Sequence, residues 1–185
     1  MQAMERRRQL EYPPETARED EHGDVAITDY LIRIDHLAVA VEDLAAAQRW
    51  YSEVLGFRCV EHRTLEGTKS GMISAVMQAG PIVFVLVQGT NPESQVSRFI
   101  QRYGQGVQHI AFQVRDIDRL VGGLTRKNLG FSTGIVDSPG LRQTFTKRNP
   151  ETGVMLEFIE RGEFPGFTDE NVNSLFRQME ENDEF

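Results

Sequence analysis

At 185 residues, with 39% hydrophobic and 26% charged side chains, the chain has the length and composition of one globular domain around a single core. A formal net charge of −8, from 28 acidic against 20 basic residues, disfavours a nucleic-acid backbone as partner, since the only basic run is Arg6, Arg7 and Arg8. Apolar runs such as 81–87 fall far short of a bilayer span, no signal-type stretch opens the chain, and the lone Cys59 cannot form an intrachain disulfide, so a cytoplasmic protein without membrane contact is expected.

Residues 1–30 are rich in Glu, Arg and Asp, contain Pro13 and Pro14, and lack apolar periodicity; they read as a flexible arm ahead of a single domain over 31–185. From Leu31 the pattern alternates, with Ile32, Ile34, His36, Ala38 and Ala40 on one face and Leu37, Val39 and Val41 on the other. A strand apolar on both faces is a buried strand. Asp43 then offers a helix N-cap, and Leu44, Ala47, Trp50, Tyr51 and Leu55 recur at helical spacing until Gly56. Strands are expected over 58–65, 71–78 and 82–88, completing a first module over 31–90. Val96, Phe99, Ile100 and Tyr103 predict a linking helix over 93–104, and a second module spans 107–161, its last strands at 141–147 and 154–160. Val172, Leu175, Phe176 and Met179 share one stripe and predict a closing helix over 168–182.

The two modules repeat one another. Residues 34–44 read IDHLAVAVEDL and 107–117 read VQHIAFQVRDI, which sets His36 against His109; Leu55-Gly56-Phe57 is echoed by Leu129-Gly130-Phe131. Self-similarity at this length means two copies of one supersecondary unit, and the fold class that follows is α+β, two βαβββ modules forming a barrel. On the last strand of each copy, Glu157 stands where the first copy has Val85. The four repeat-related inward positions therefore hold His, Val, His and Glu. Two imidazoles and one carboxylate are the donor set favoured for non-haem Fe(II), and a valine in the fourth place leaves coordination positions open. Taken singly each residue has a plainer reading, because a histidine in an apolar strand is commonly a satisfied core residue. A glutamate inside the apolar strand MLEFI is harder to explain without a cationic partner. His22 lies in the arm, and His62 is flanked by charged residues, so both read as solvated.

Paired modules with ligands on their strands resemble the vicinal oxygen chelate superfamily, which includes glyoxalases, epimerases, dioxygenases and antibiotic-resistance proteins. Within it, SQVSRFIQRYGQGVQHIAFQVRDID, RQTFTK, MLEFIERG and NVNSLFRQMEE look like the catalytic, C-terminal half of the 4-hydroxyphenylpyruvate dioxygenases, over about Ile32 to Asp183. The resemblance implies that His36, His109 and Glu157 hold Fe(II), and that a 2-oxo acid, by expectation aromatic, chelates the metal with O2 as co-substrate. It implies polar catalytic roles for Gln143, Gln95 and Ser74. It also implies a substrate pocket from Gln88, Phe145, Met155, Phe167, Asn171 and Val172. Met155 and Val172 stand where the family often has phenylalanine, and Gln88 where it commonly has asparagine, so the pocket is expected to be reshaped. Each position has a structural reading as well: Gln143 and Ser74 could satisfy backbone groups, Phe145 and Phe167 could be core, and Asn171 could cap the tail helix.

Three other functions compete. An extradiol-type ring-cleaving dioxygenase uses the same ligands but adds further catalytic histidine and tyrosine, for which only His62 is available in the barrel region. Epimerases and glyoxalases of the superfamily use a ligand or base at the position of Val85, and valine cannot accept a proton. A small-molecule binding or resistance protein needs no metal, which leaves the triad unexplained. A homodimer is expected, since half of a larger barrel protein leaves sheet edges exposed.

Overall fold

The computed structural model describes residues 26–66, 70–138 and 140–162. Chain order is β1 (Leu31–Ala40), α1 (Leu44–Glu53), β2 (Arg58–Glu66), β3 (Gly71–Ala79), β4 (Ile82–Gly89), α2 (Gln95–Tyr103), β5 (Gly106–Val114), α3 (Ile117–Arg126), β6 (Val136–Ser138), β7 (Leu141–Phe145) and β8 (Met155–Arg161). All eight strands belong to one mixed sheet in the order β2-β3-β4-β1-β5-β8-β7-β6. The order is symmetric about its middle. In each module the first strand pairs in parallel with the last, β1 with β4 and β5 with β8, while the modules join through antiparallel pairing of β1 and β5. The expected barrel is therefore an open one: the sheet curls so that residues of β1–β5, β7 and β8 line a common cavity, but β2 and β6 remain edge strands among the described residues.

The helices sit where capping and apolar spacing put them. Asp43 accepts from the Ala46 N–H at 2.9 Å and starts α1, and Gly56, at φ +74°, turns the chain out so that the Phe57 N–H bonds the Tyr51 carbonyl at 3.0 Å. The apolar stripe of α1 is narrower than expected. Leu44, Ala47 and Tyr51 pack on Ala75, Met77, Leu86, Phe57 and Phe84, whereas Trp50 and Leu55 are about half exposed. At 100° per residue Trp50 falls well off the line through Leu44, Ala47 and Tyr51. In α2, Val96 and Phe99 bury against Ala40 and Val87, and in α3, Ile117, Leu120 and Leu124 bury against Val114 and Phe158.

Packing begins before Leu31. Ile27–Asp29 form a short 3₁₀ turn and Tyr30 is buried among Val114, Ile117 and Leu120, so the last residues assigned to the arm belong to the core; the rest of the arm lies outside the described residues. The closing helix also lies outside them. Strand β6 had no clear sequence signal, being three residues long beside Pro139 and Gly140. Among the described residues no helix is long and apolar enough to cross a membrane.

Candidate functional site

Direct cross-strand partners share a face of a sheet, and the register brings the three candidate ligands onto the concave face. His36 stands opposite Ala111, Ala111 opposite Glu157, and His109 opposite Ala38, which itself faces Val85. The Nε2 atoms of His36 and His109 lie 3.3 Å apart, and each is 3.4 Å from Oε2 of Glu157. A triangle of this size suits one ion held at roughly 2.0–2.2 Å from each corner, the ordinary range for imidazole nitrogen and carboxylate oxygen on a divalent metal. The three residues are the group of His, Cys, Asp and Glu side chains among the described residues whose donor atoms converge in this way.

Both rings are aimed by the residue that precedes them. Between Ile34 and His36 the β1/β5 register shifts by one, leaving Asp35 as an extra residue on β1. Between Ala38 and Val39 it shifts again, leaving Gln108 as the extra residue on β5. Such bulges re-aim side chains that strict alternation would send to the other face. Here they bring the Asp35 carboxylate 3.0 Å from Nδ1 of His36 and the Gln108 amide oxygen against Nδ1 of His109. Each Nδ1–H donates outward, which leaves the Nε2 lone pairs turned to the common point. Arg161 grips Asp35 from the far side, Nε to Oδ2 at 2.7 Å and NH2 to Oδ1 at 2.8 Å. Arg148 donates to the Gln108 carbonyl at 3.2 Å while its guanidinium lies over the rings of Phe99 and Tyr103. The sequence reading missed Asp35, Gln108, Arg161 and Arg148. An acidic or amide residue next to each repeat-related histidine was the available signal.

Electrostatics agree with a metal-binding role for the trio. Burial, with Arg148 nearby, holds His109 down at about 3, so the ring is neutral and its lone pair available. Burial pushes the Glu157 carboxyl up to about 7, with His36 opposing, Asp35 adding to the rise and Arg161 opposing. A divalent ion is the partner that would keep so buried a carboxylate ionised. Burial alone would also raise Asp35, but hydrogen bonds from Arg161 and His36 outweigh it and hold the group well below the ordinary carboxylate range.

The cavity beside the triad, about 90 Å³, is walled by Met72, Val76, Val85, Val87 and Phe145, with Arg63, Ser74 and Gln143 as its polar groups outside the triad. Phe145 meets the His109 ring edge-on at 5.0 Å between centroids. Of the residues implied by the resemblance, Ser74, Gln143 and Phe145 line this space. Met155 is buried against Phe145 and supports the wall from behind. Gln95 is buried at the start of α2, its Nε2 without a hydrogen-bond partner among the described residues, and it does not line the cavity. Gln88 faces away: Val85 and Val87 point inward, so alternation sends Gln88 outward, where its amide oxygen accepts from the Leu44 N–H at 2.7 Å at the start of α1. Phe167, Asn171 and Val172 lie outside the described residues. His62 is exposed on β2 and takes no part in the triad.

Residues 33–158 match the Glyoxalase/Bleomycin resistance protein/Dioxygenase superfamily, and the chain belongs to it. Its fold is similar to that of a 4-hydroxymandelate synthase mutant from Streptomyces coelicolor, with TM-score 0.73 and 24% identity over 83% of this chain and 55% of that one. A methylmalonyl-CoA epimerase variant from the same organism superposes with TM-score 0.61 and 26% identity, covering 71% of this chain and 99% of the epimerase. In sequence, the 4-hydroxyphenylpyruvate dioxygenase of Pseudomonas aeruginosa is 27% identical over 190 aligned positions, 82% of this chain and 52% of the enzyme. The chain thus spans about half the length of that dioxygenase and of the synthase.

Proposed function

We propose that the protein is an Fe(II)-dependent dioxygenase that oxidatively decarboxylates and oxygenates a 2-oxo acid. The observation that carries this reading is the triangle of His36, His109 and Glu157 facing Val85, a side chain with no donor atom, so that one side of the bound ion stays accessible. Fe(II) held there would supply the O2 chemistry, with the 2-oxo acid as source of electrons.

The chain's own residues account for the rest. Two neutral imidazoles and one carboxylate hold the ion, and Asp35 and Gln108 fix the ring orientations. Gln143 and Ser74 orient the substrate by hydrogen bonds without adding charge, Phe145 offers a face or edge to a planar group, and Met72, Val76, Val85 and Val87 exclude water. Likeness to a 4-hydroxyphenylpyruvate dioxygenase supports the reaction class. Likeness to an epimerase raises proton transfer as a rival, but Val85 supplies no base where that chemistry needs one.

Oxygen uptake by the Fe(II)-loaded protein against a panel of aromatic and aliphatic 2-oxo acids, with products identified by mass, tests the proposal. Uptake stoichiometric with CO2 release from at least one acid is expected. Silence across the panel, with the metal retained, would assign the site to another reaction.

A further inference from the structure

The two modules differ in the connection between their last two strands. In the first, β3 ends at Ala79 and β4 begins at Ile82, with Gly80 and Pro81 between them. In the second, β7 ends at Phe145 and β8 begins at Met155, so residues 146–154 stand where the first copy has a tight turn. Asn149 shapes this longer connection: its Oδ1 accepts from the Glu151 N–H at 2.8 Å and the Thr152 N–H at 2.9 Å, and its own N–H donates to the Val154 carbonyl at 3.0 Å. The connection also carries Arg148, for which the short turn of the first module has no counterpart. It belongs to the module that supplies His109 and Glu157.

Arg148 joins three elements. Its NH2 donates to the Gln108 carbonyl on β5 at 3.2 Å, its NH1 donates to the Gly153 carbonyl just ahead of β8, and its guanidinium lies 4.7 Å from the ring centre of Phe99 and 4.9 Å from that of Tyr103, both on α2. Arginine suits this place, because its planar fork serves two carbonyls while its face covers aromatic rings; a lysine ammonium is a point donor. The two carbonyls lie at the entry ends of β5 and β8, whose parallel pairing starts at His109 with Met155 and continues to Ala111 with Glu157. Gln108 is also the bulge residue whose amide oxygen accepts from Nδ1 of His109. A bulge leaves its extra residue outside the regular ladder, so its backbone needs another hold. Arg148 supplies one, and ties it to the turn that leads into the strand of Glu157.

We propose that Arg148 is a positioning residue of the metal centre: by fastening Gln108 to the Gly153 turn it sets the orientation of His109 and its spacing from Glu157. This rests on the metal-binding reading of the triad above. The test is titration of the full chain with Co(II), whose visible absorption reports the geometry of its ligands, with affinity from calorimetry and folding checked by circular dichroism. Arg148→Met keeps an unbranched side chain beside Phe99 and Tyr103 but removes both donations. It should bind Co(II) about tenfold more weakly or worse, the range for loss of a group that orients a ligand, and should shift the spectrum. Arg148→Lys, which restores one donation, should fall between this variant and wild type. Arg142→Met is the control for a general loss of stability, since Arg142 on β7 joins Asp118, Asp137 and Glu160 instead; it should lower the urea midpoint and leave Co(II) affinity and spectrum unchanged. Wild-type affinity and spectrum in folded Arg148→Met, or in Arg148→Lys if the first variant does not fold, would overturn the role of Arg148 and leave the metal reading standing. An equal effect of Arg142→Met would overturn it as well. If wild-type protein binds no Co(II), the metal reading falls and this inference with it.

Discussion

At the scale of single residues, the proposed metal centre would depend as much on the side chains behind His36 and His109 as on the three candidate ligands. Nδ1 of His36 is held by a carboxylate that a bidentate arginine keeps ionised, whereas Nδ1 of His109 is held by a neutral amide. The two imidazoles are therefore oriented by groups of different charge although the repeat makes them equivalent in position. Asp35→Asn should keep the hydrogen bond but remove the charge, weaken metal binding by roughly 10–100-fold, and leave most of the fold intact. A metal titration followed by calorimetry reads this directly, and an unchanged affinity would show that the carboxylate matters only for packing. The three converging side chains could be found in the sequence because the repeat aligned His36 with His109 and Glu157 with Val85. Asp35 and Gln108 could not be placed, since alternation assigns the neighbour of an inward histidine to the opposite face, and only the register shifts bring them back. Gln88 misled for the converse reason: its identity matched a pocket residue of similar enzymes, but its position next to inward Val87 turns it toward α1.

At the scale of elements, strands and helices followed from patterns that packing reinforces. Strands β1, β4 and β5 are apolar and central, Asp43 caps α1, and Val96 and Phe99 set the buried face of α2. Where the local signal was weak the reading was too: β6 is three residues long, and the core contact of Tyr30 is made with α3, far along the chain. The join between β4 and α2 is constrained by close approach. A Cβ on Gly89 would lie 2.2 Å from Ser97 Oγ and 2.7 Å from Ser94 Oγ, and Ser94 is fully buried, so it has little room to give way. Gly89→Ala should therefore destabilise the fold by about 1–3 kcal/mol, as overpacking does, without touching the triad. Urea unfolding monitored by tryptophan fluorescence measures it; a neutral result would mean that α2 can slide away from β4 at no cost.

At the scale of the whole molecule, the two modules share one sheet and one centre. His36 belongs to the first module, His109 and Glu157 to the second, so an ion held by all three would bridge the seam where β1 meets β5. Binding only to the folded chain should then stabilise it by mass action, with the gain growing as the logarithm of free metal. The edge strands β2 and β6 among the described residues, together with exposed Ile34, Val60 and Ile82, are the basis for expecting self-association. Sedimentation velocity at micromolar concentration should show a dimer, and a monomer at every concentration would remove that expectation while leaving the centre unaffected. The account as a whole turns on the convergence of three side chains on one ion. Its most direct test is the Fe(II) retained after anaerobic gel filtration by wild-type protein and by His36→Ala, His109→Ala and Glu157→Ala, each checked for folding by circular dichroism. One ion per wild-type chain and near-complete loss in every folded variant is the predicted result. Full retention by any folded variant would contradict it.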